Sequence, residues 1–312
     1  MGLNPVAPRP GRWKMIKILV VVILVAIIAI SAVDIVDNNR SINYGGYNPF
    51  SSSPFLTLTA NLANRNSQAN FTYGYASPEL WGFARGGGNA TMTFYTNSSV
   101  KFDANLFPSG GGLNIFAYPS VHFTYGLPIS LTTIYQDKLS SYVSFDVKKN
   151  DNYWNDFAYD MFLGQSNTLQ DEVEIMLEDN LGTVNPPNGS VGSPALTFEL
   201  PLKVNGVEQN VNWTLNIGTS ASGPFPAYVF ISSMKTTNSM TFSINIWQYL
   251  QALQSRYYIT PYEYLLRLGI GSEFSGGMPS KDTGMTTYSF WLYSYFIING
   301  TKYQIIQPSG GI

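Results

Sequence analysis

Recurring strand-like segments constrain the fold of this chain more than any other feature. Runs rich in Val, Ile, Thr, Tyr and Phe alternate with clusters of Gly, Pro and Asn, which is the pattern of strands joined by turns. Aromatic residues make up 15% of the 312 residues and charged residues only 12%, a composition that suits a β-rich chain with many turns. We predict strands over 90–95, 99–102, 113–116, 142–147, 157–163, 172–177, 196–202, 210–217, 228–233, 240–244, 264–271 and 286–298.

One helical period appears late in the chain. Ile246, Trp247, Leu250 and Leu253 lie on one face of a helix predicted over 245–256. Many strands with one late helix predict an all-β fold, a sandwich of two packed antiparallel sheets with the helix on its back.

The N-terminal part of the chain has a different character. Residues 15–33 are almost entirely apolar and just long enough to span a bilayer, with basic residues before them and acidic residues after. The positive-inside rule then puts the N-terminus in the cytoplasm and the rest outside the cell, anchored in the membrane. A cleaved leader with its cut near 29–31, and hence a secreted protein, is the competing reading. We therefore divide the chain into 1–33 (cytoplasmic stub plus transmembrane anchor or signal segment), 34–52 (linker) and 53–312 (one β-sandwich domain).

Composition excludes several classes of site. The chain has no cysteine and one histidine, so disulfides, iron–sulfur clusters and a multi-histidine zinc site are excluded. We expect no metal and no cofactor. No basic patch suggests nucleic acid binding. His122 could still serve a Ser-His-Asp arrangement, although a packed or surface histidine is the preferred reading. The low charge content also raises the hypothesis of an acidic habitat.

Two glutamates lie on strand-like segments about a hundred residues apart. In 172–178 the side chains of Glu172, Glu174, Met176 and Glu178 share one face, and the aliphatic residues between them belong in the core. Acids on one face of a single strand are ordinarily a solvated surface, so this segment alone does not identify a site.

The second segment leads to Glu273. Leu266, Leu268 and Ile270 are expected to face the core, whereas Gly269 and Gly271 share the opposite face with Glu273. Glycine within a strand marks a bend or a close approach to the backbone. We predict an open floor over the glycines on which a sugar ring could lie, and a bend at a sheet corner is the alternative.

Other residues could complete a groove around the two glutamates. Asp160 lies in a further candidate strand and, beside Glu174, could raise the proton affinity of the pair. Trp81 and Trp154 could stack on sugar rings, while Met176 would line the floor. A carboxylic acid and a carboxylate on neighbouring strands are the minimum apparatus for cutting a glycosidic bond.

These segments resemble glycoside hydrolase family 12, the compact jelly-roll endoglucanases. The resemblance rests on EIML at 174–177, GSEFSG at 271–276, AYD at 158–160 and LWG at 80–82, with a Tyr-Pro pair at 118–119 and the late helix in the same order. The resemblance covers roughly 70–298. Within the family, the chain resembles archaeal members that are membrane-anchored or secreted.

The resemblance implies a β-jelly-roll with a substrate groove and a retaining endo-1,4-β-glucanase of the cellulase type. Glu174 would be the nucleophile, Glu273 the acid/base and Asp160 their neighbour. The substrate would be a β-linked polysaccharide, and we expect a monomer. Cellulose, mixed-linkage glucan, xyloglucan and xylan are not ranked.

The chain departs from the family pattern at several places. Glu178 replaces a tryptophan, Glu79 occupies a position that is often asparagine, and the loop 182–194 is long and could cross the groove. A non-catalytic carbohydrate-binding or cell-envelope protein on the same sandwich is the alternative function. A paired-carboxylate protease is more distant, because its Asp-Thr-Gly motif occurs once, at 282–284.

Overall fold

The computed structural model describes residues 52–80, 86–108, 115–134, 138–150, 154–165, 168–179, 192–275 and 286–308. No helix among these residues is long and apolar enough to cross a membrane, and the apolar run 15–33 lies outside them. The anchor or leader therefore stays a prediction.

Strands dominate the described residues, as the turn-separated pattern predicts. They are β1 (Pro54–Ala60), β2 (Ala69–Phe71), β3 (Gly74–Ser77), β4 (Gly86–Tyr95), β5 (Ser99–Pro108), β6 (Ile115–Ala117), β7 (Ser120–Phe123), β8 (Ile129–Ser130), β9 (Leu139–Asn150), β10 (Asp156–Gln165), β11 (Thr168–Asp179), β12 (Ser193–Val204), β13 (Val207–Thr219), β14 (Pro226–Ser232), β15 (Ser239–Asn245), β16 (Tyr264–Gly271), β17 (Phe274–Ser275), β18 (Thr286–Ile298) and β19 (Thr301–Tyr303). A short 3-10 turn spans Leu131–Thr133 and helix α1 spans Ile246–Gln254.

The strands form two layers. One layer runs β2-β3-β7-β16-β10-β11-β14-β13-β12, and its one parallel pair is β11 with β14. The second layer runs β1-β4-β5-β18-β9-β15 and is antiparallel throughout. A short pairing of β12 with β15 joins the layers at one edge. We call the first layer the site sheet and the second the outer sheet.

Aromatic rings fill the space between the layers. Phe157 of the site sheet stacks on Phe145 of the outer sheet with ring centroids 4.0 Å apart, and it meets Phe290 edge to face at 5.1 Å. Burying each such ring contributes about 2–3 kcal/mol. This shared core leaves the other face of the site sheet available for polar side chains.

Helix α1 confirms the late helical period. Ile246, Trp247, Leu250 and Leu253 are all buried, as predicted, and Tyr249 packs edge to face on a tryptophan of β13. The helix thus covers the core side of the site sheet, opposite to the face that carries the acids.

One predicted strand differs in register. The pairing of β16 with β10 slips between Phe162 and Leu163, so Leu265 rather than Leu266 pairs with Leu163 and enters the core. Leu266 is half-buried and lies outside the core. The core prediction for Leu266 was therefore wrong, because a β-bulge shifts the alternation by one residue.

Candidate active site

Glu174 and Asp160 are direct neighbours across two strands. Asp160 on β10 pairs with Glu174 on β11 and, on its other side, with Gly269 on β16. Directly opposed residues point to the same face of a sheet with Cβ atoms about 5 Å apart. The predicted placement of Asp160 beside Glu174 is therefore confirmed, and both side chains are partly exposed.

Glu273 is the second residue after the end of β16 and is fixed by Asp156. The backbone N–H of Glu273 donates to Asp156 Oδ1 at 2.8 Å, and the N–H of Asp156 donates to the carbonyl of Glu273 at 3.1 Å. The second bond joins the two backbones beyond the last paired residues of β10 and β16, and the first comes from the Asp156 side chain. Together they hold Glu273 on the same face as Glu174. Asp156 itself is fully buried.

Three carboxyl groups converge on this face. One oxygen from each of Asp156, Glu174 and Glu273 lies within 4.8 Å of the other two. Glu174 and Glu273 are thus brought together, as predicted, although 98 residues separate them in the sequence. Three converging carboxylates can bind a hard cation, but the same crowding also makes the groups retain protons, and the arrangement by itself identifies no metal site.

Burial and crowding favour the protonated form of Glu273. Burial first, and then the charges of Glu172 and Glu79, raise its pKa to about 8. At neutral pH Glu273 therefore carries a proton that it can give to a leaving group.

The pKa values of the neighbouring acids Glu174 and Asp160 are raised as well. Burial is the largest cause that raises the pKa of Glu174, followed by the charges of Glu273 and Asp156. Burial also raises the pKa of Asp160, followed by the charge of Glu172. Because the groups repel each other when ionised, they titrate as a coupled set.

A small apolar cluster forms the floor beside the acids. Met176, with 1% of its surface exposed, packs with Trp154, Ala158 and Val229 on the face opposite the main core. Met176 thus lies on the acid-bearing face of the sheet, and its role in a substrate floor stays a prediction. Trp154 is completely buried, so its ring presents no face on which a sugar could stack in this structure. It supports the floor from one side and is not a stacking platform.

The space above the two glycines of β16 is filled by other residues of the protein and is not an open floor. A Cβ at Gly269 would lie 2.8 Å from His122 Nδ1, and one at Gly271 would lie 2.5 Å from the Pro119 carbonyl oxygen. Contacts that short leave no room for a side chain, and strand β7 already occupies the space. The predicted sugar-binding floor over these glycines was therefore wrong, since the protein fills it itself.

His122 is buried in the same row of the site sheet. Tyr75, His122, Gly269, Asp160 and Glu174 pair successively across five strands.

The contacts of the His122 ring exclude a catalytic triad. Its Nε2 lies 2.7 Å from Ser120 Oγ and 3.1 Å from Glu79 Oε1, whereas its Nδ1 is buried without a hydrogen-bond partner. A Ser-His-Asp triad needs the serine and the acid on different ring nitrogens. Ser120 is also fully buried.

Several predicted features lie outside the described residues. They include Trp81 and most of the loop 182–194, and the side chain of Glu178 also lies outside them. The sequence reasoning missed Asp156 altogether. Its signal was available, because Asp156 lies four residues before Asp160 and so shares its strand face.

The all-β sandwich with one helix is a fold that solved family 12 glycoside hydrolases share.

Solved structures of that family share the fold with this chain. A family 12 xyloglucanase from Bacillus licheniformis in complex with ligand has a TM-score of 0.58 at 18% identity, over 78% of this chain and 100% of its own. The family 12 endoglucanase 3 of Trichoderma harzianum has a TM-score of 0.57 at 22% identity, over 78% and 98%.

A third structure was determined with a sugar. The xyloglucanase domain of NopAA, a type three effector from Sinorhizobium fredii, in complex with cellobiose, has a TM-score of 0.58 at 18% identity, over 79% of this chain and 100% of its own. No family model and no curated protein matches the sequence. The likeness at these identities concerns the fold, and the suggested archaeal kinship stays a prediction.

Proposed function

We propose that this chain is a retaining, endo-acting glycoside hydrolase that cleaves β-1,4-glucans of the cellulose type. Mixed-linkage glucan, xyloglucan and xylan remain open as substrates. The observation that carries the proposal is the approach of Glu174 and Glu273 to within 4.8 Å between carboxyl oxygens on one sheet face. Retaining enzymes hold their two carboxyl groups about 5–5.5 Å apart, whereas inverting enzymes leave 6.5 Å or more for a water.

In the first half of the reaction Glu174 attacks the anomeric carbon while the bond to the leaving oxygen breaks. Glu273 gives its proton to that oxygen, and a covalent glycosyl-enzyme forms. Its pKa of about 8 supports this role, since the group is protonated when substrate arrives.

In the second half the roles of Glu273 reverse. Its carboxylate takes a proton from water, the water oxygen attacks the anomeric carbon, and Glu174 leaves as a carboxylate. Asp160 lies directly across from Glu174 and raises the proton affinity of the Asp160–Glu174 pair. Met176 forms part of the floor on which the scissile ring rests.

The NopAA xyloglucanase domain with bound cellobiose supports a β-glucan ligand for this fold. The alternative, a non-catalytic carbohydrate-binding protein, has no need for two carboxyl groups at this spacing, one of them with a pKa near 8.

The test is a reducing-sugar assay on carboxymethylcellulose, mixed-linkage glucan, xyloglucan and xylan. We expect Glu174→Gln and Glu273→Gln each to lower activity at least about a thousandfold while far-UV circular dichroism is unchanged. Asp103→Asn is the matched control, because Asp103 lies on the outer sheet with Lys101 at 2.7 Å and Asn can still accept from Ser289. Full activity of either glutamine variant would remove the assignment.

Stereochemistry tests the mechanism separately. Proton NMR of the first product from a cello-oligosaccharide should show the β-anomer before mutarotation. A first product in the α-configuration would indicate inversion and refute the double displacement.

The location in the cell belongs to the same proposal. We propose a catalytic β-sandwich outside the cell as a monomer, held to the membrane through residues 15–33 or released after leader cleavage. Fractionation of cells that express the full chain distinguishes these two forms. Activity found only in the cytoplasm would contradict both.

A further inference from the structure

Glu79 has an unusual backbone for a charged residue. Its φ of 42° lies in the left-handed region, which is strained for a residue with a side chain. Such strain persists where surrounding contacts hold the residue, and it concentrates at functional sites.

Three contacts fix Glu79 in this conformation. Its N–H donates to Ser77 Oγ at 3.2 Å, its carbonyl accepts from the N–H of Tyr118 at 3.2 Å, and Oε1 meets His122 Nε2 at 3.1 Å. Tyr118 in turn donates from its hydroxyl to the carbonyl of Ala158 in the floor of the site. Glu79 is therefore linked through Tyr118 to strand β10 of the site sheet.

His122 is built to hold this carboxylate. Its ring is stacked on Tyr75 at 4.5 Å between centroids and confined by Gly269, where any Cβ would lie 2.8 Å from Nδ1. One edge of the ring contacts both the carboxylate and a serine hydroxyl, because Nε2 lies 3.1 Å from Glu79 Oε1 and 2.7 Å from Ser120 Oγ.

The second ring nitrogen of His122, Nδ1, shows that the contact between His122 and Glu79 has a cost in stability. Nδ1 is buried without a hydrogen-bond partner in a side chain that is 7% exposed, and leaving a buried polar atom unpaired destabilises the folded state. A merely structural residue at this place would avoid both that cost and the strain at Glu79.

The carboxylate of Glu79 is the accessible end of this assembly. Its side chain is 26% exposed, against 7% for His122. Because Glu79 contacts His122, whose row in the site sheet continues through Gly269 to Asp160 and Glu174, its carboxylate lies on the same face as the acid pair. A fixed, half-exposed carboxylate there can accept a hydrogen bond from a sugar hydroxyl.

We infer that Glu79 is a substrate-binding residue, positioned by His122, that accepts a hydrogen bond from a hydroxyl of a neutral sugar unit bound beside the acid pair. The inference rests on the proposed function and adds a specificity contact to it. His122 acts through Glu79 and does not touch the sugar.

The test uses the inactive Glu174→Gln protein, which can bind substrate without cutting it. Calorimetric titration with cellotetraose is compared between this protein and the same protein with Glu79→Gln, in which the amide retains the length of the side chain but loses the charge. We expect the Kd to rise about tenfold, the worth of one hydrogen bond to a charged group. Adding Asp103→Asn instead should leave the Kd unchanged.

His122→Phe tests the positioning role, because the ring can still stack on Tyr75 but cannot hold Glu79. It should raise the Kd as Glu79→Gln does, and the double variant should bind no worse than either single variant. Additive losses would show that His122 acts independently. In the active enzyme Glu79→Gln should raise KM by a larger factor than it lowers kcat.

The chain offers a direct spectroscopic probe as well, since His122 is its only histidine. In untagged Glu174→Gln protein, the single Cε1–H resonance should shift when cellotetraose is added. An unmoved resonance, or an unchanged Kd in the Glu79→Gln background, would overturn this inference while leaving the hydrolase intact. Absence of both binding and hydrolysis on every glucan would overturn the proposed function and this inference with it.

Discussion

Replacing Gly271 by alanine tests whether the space above the glycines in β16 is filled by the protein or is open to a sugar. A Cβ there would lie 2.5 Å from the Pro119 carbonyl oxygen, whereas ordinary contact begins near 3.4 Å. Strand β7 cannot retreat by that difference, because β3 pairs with its other side. Overpacking of this kind costs about 3 kcal/mol, and the lower entropy of the unfolded alanine chain returns less than about 1 kcal/mol.

The net loss of about 2 kcal/mol should lower the Tm by roughly 4–8 °C for a domain of this size. Differential scanning calorimetry measures it. Gly269→Ala should cost less, because its nearest atoms, 2.8 Å and 2.9 Å away, belong to the end of the His122 ring. Gly87→Ala is the matched control, since nothing lies within 4 Å of its Cβ position. A Gly271→Ala protein with the wild-type Tm but a raised KM would refute this reasoning and place a sugar over the glycine.

Three further predictions follow from the charged groups. Because Glu273 must be protonated and its pKa is about 8, kcat/KM should fall as the pH rises through about 8; a pH profile with no loss up to pH 9.5 would contradict this assignment. Burial, followed by the charge and hydrogen bond of Glu263, raises the pKa of Asp171 to about 7. The pKa of Asp171 in the folded protein exceeds its pKa of about 3.9 in the unfolded chain, so the stability that Asp171 contributes is complete below about pH 4 and is lost as the pH rises through 7. In Asp171→Asn the difference in Tm between pH 4 and pH 8 should therefore shrink. An unchanged difference would exclude the Asp171–Glu263 pair as its source. Finally, EDTA should leave hydrolysis unchanged, since the raised pKa values of Glu273 and Glu174 let protons rather than a cation relieve the repulsion between the acids; loss of activity that Ca²⁺ or Mg²⁺ restores would show a metal role.

The raised pKa values of the buried acids bear on the hypothesis of an acidic habitat. Acids with raised pKa values stabilise the fold at low pH, which agrees with that hypothesis. The raised pKa of Glu174 acts against it for catalysis, because the nucleophile must be ionised. A protein that is most stable in acid but most active nearer neutrality is the expected result, measured by Tm and initial rate over pH 3–9.

Local sequence predicted the long strands well. Segments 264–271 and 286–298 match β16 and β18 at both ends, because apolar residues alternate there and turn residues bound them. Strand β7 was missed, since all four of its residues are buried and show no alternation. The slip beside Leu266 was also beyond reach, because a bulge depends on what the partner strand can accept.

The alternation of polar and apolar residues was enough to assign Glu174 and Glu273 each to the solvent side of its own strand. It could not say which strands are neighbours. The order of the strands was decided by the tertiary structure, in which β10 lies between β11 and β16. This order places Asp160 opposite Glu174 and Asp156 beside Glu273. Such pairings over long sequence distances depend on how the whole aromatic core packs, and no single segment contains that information.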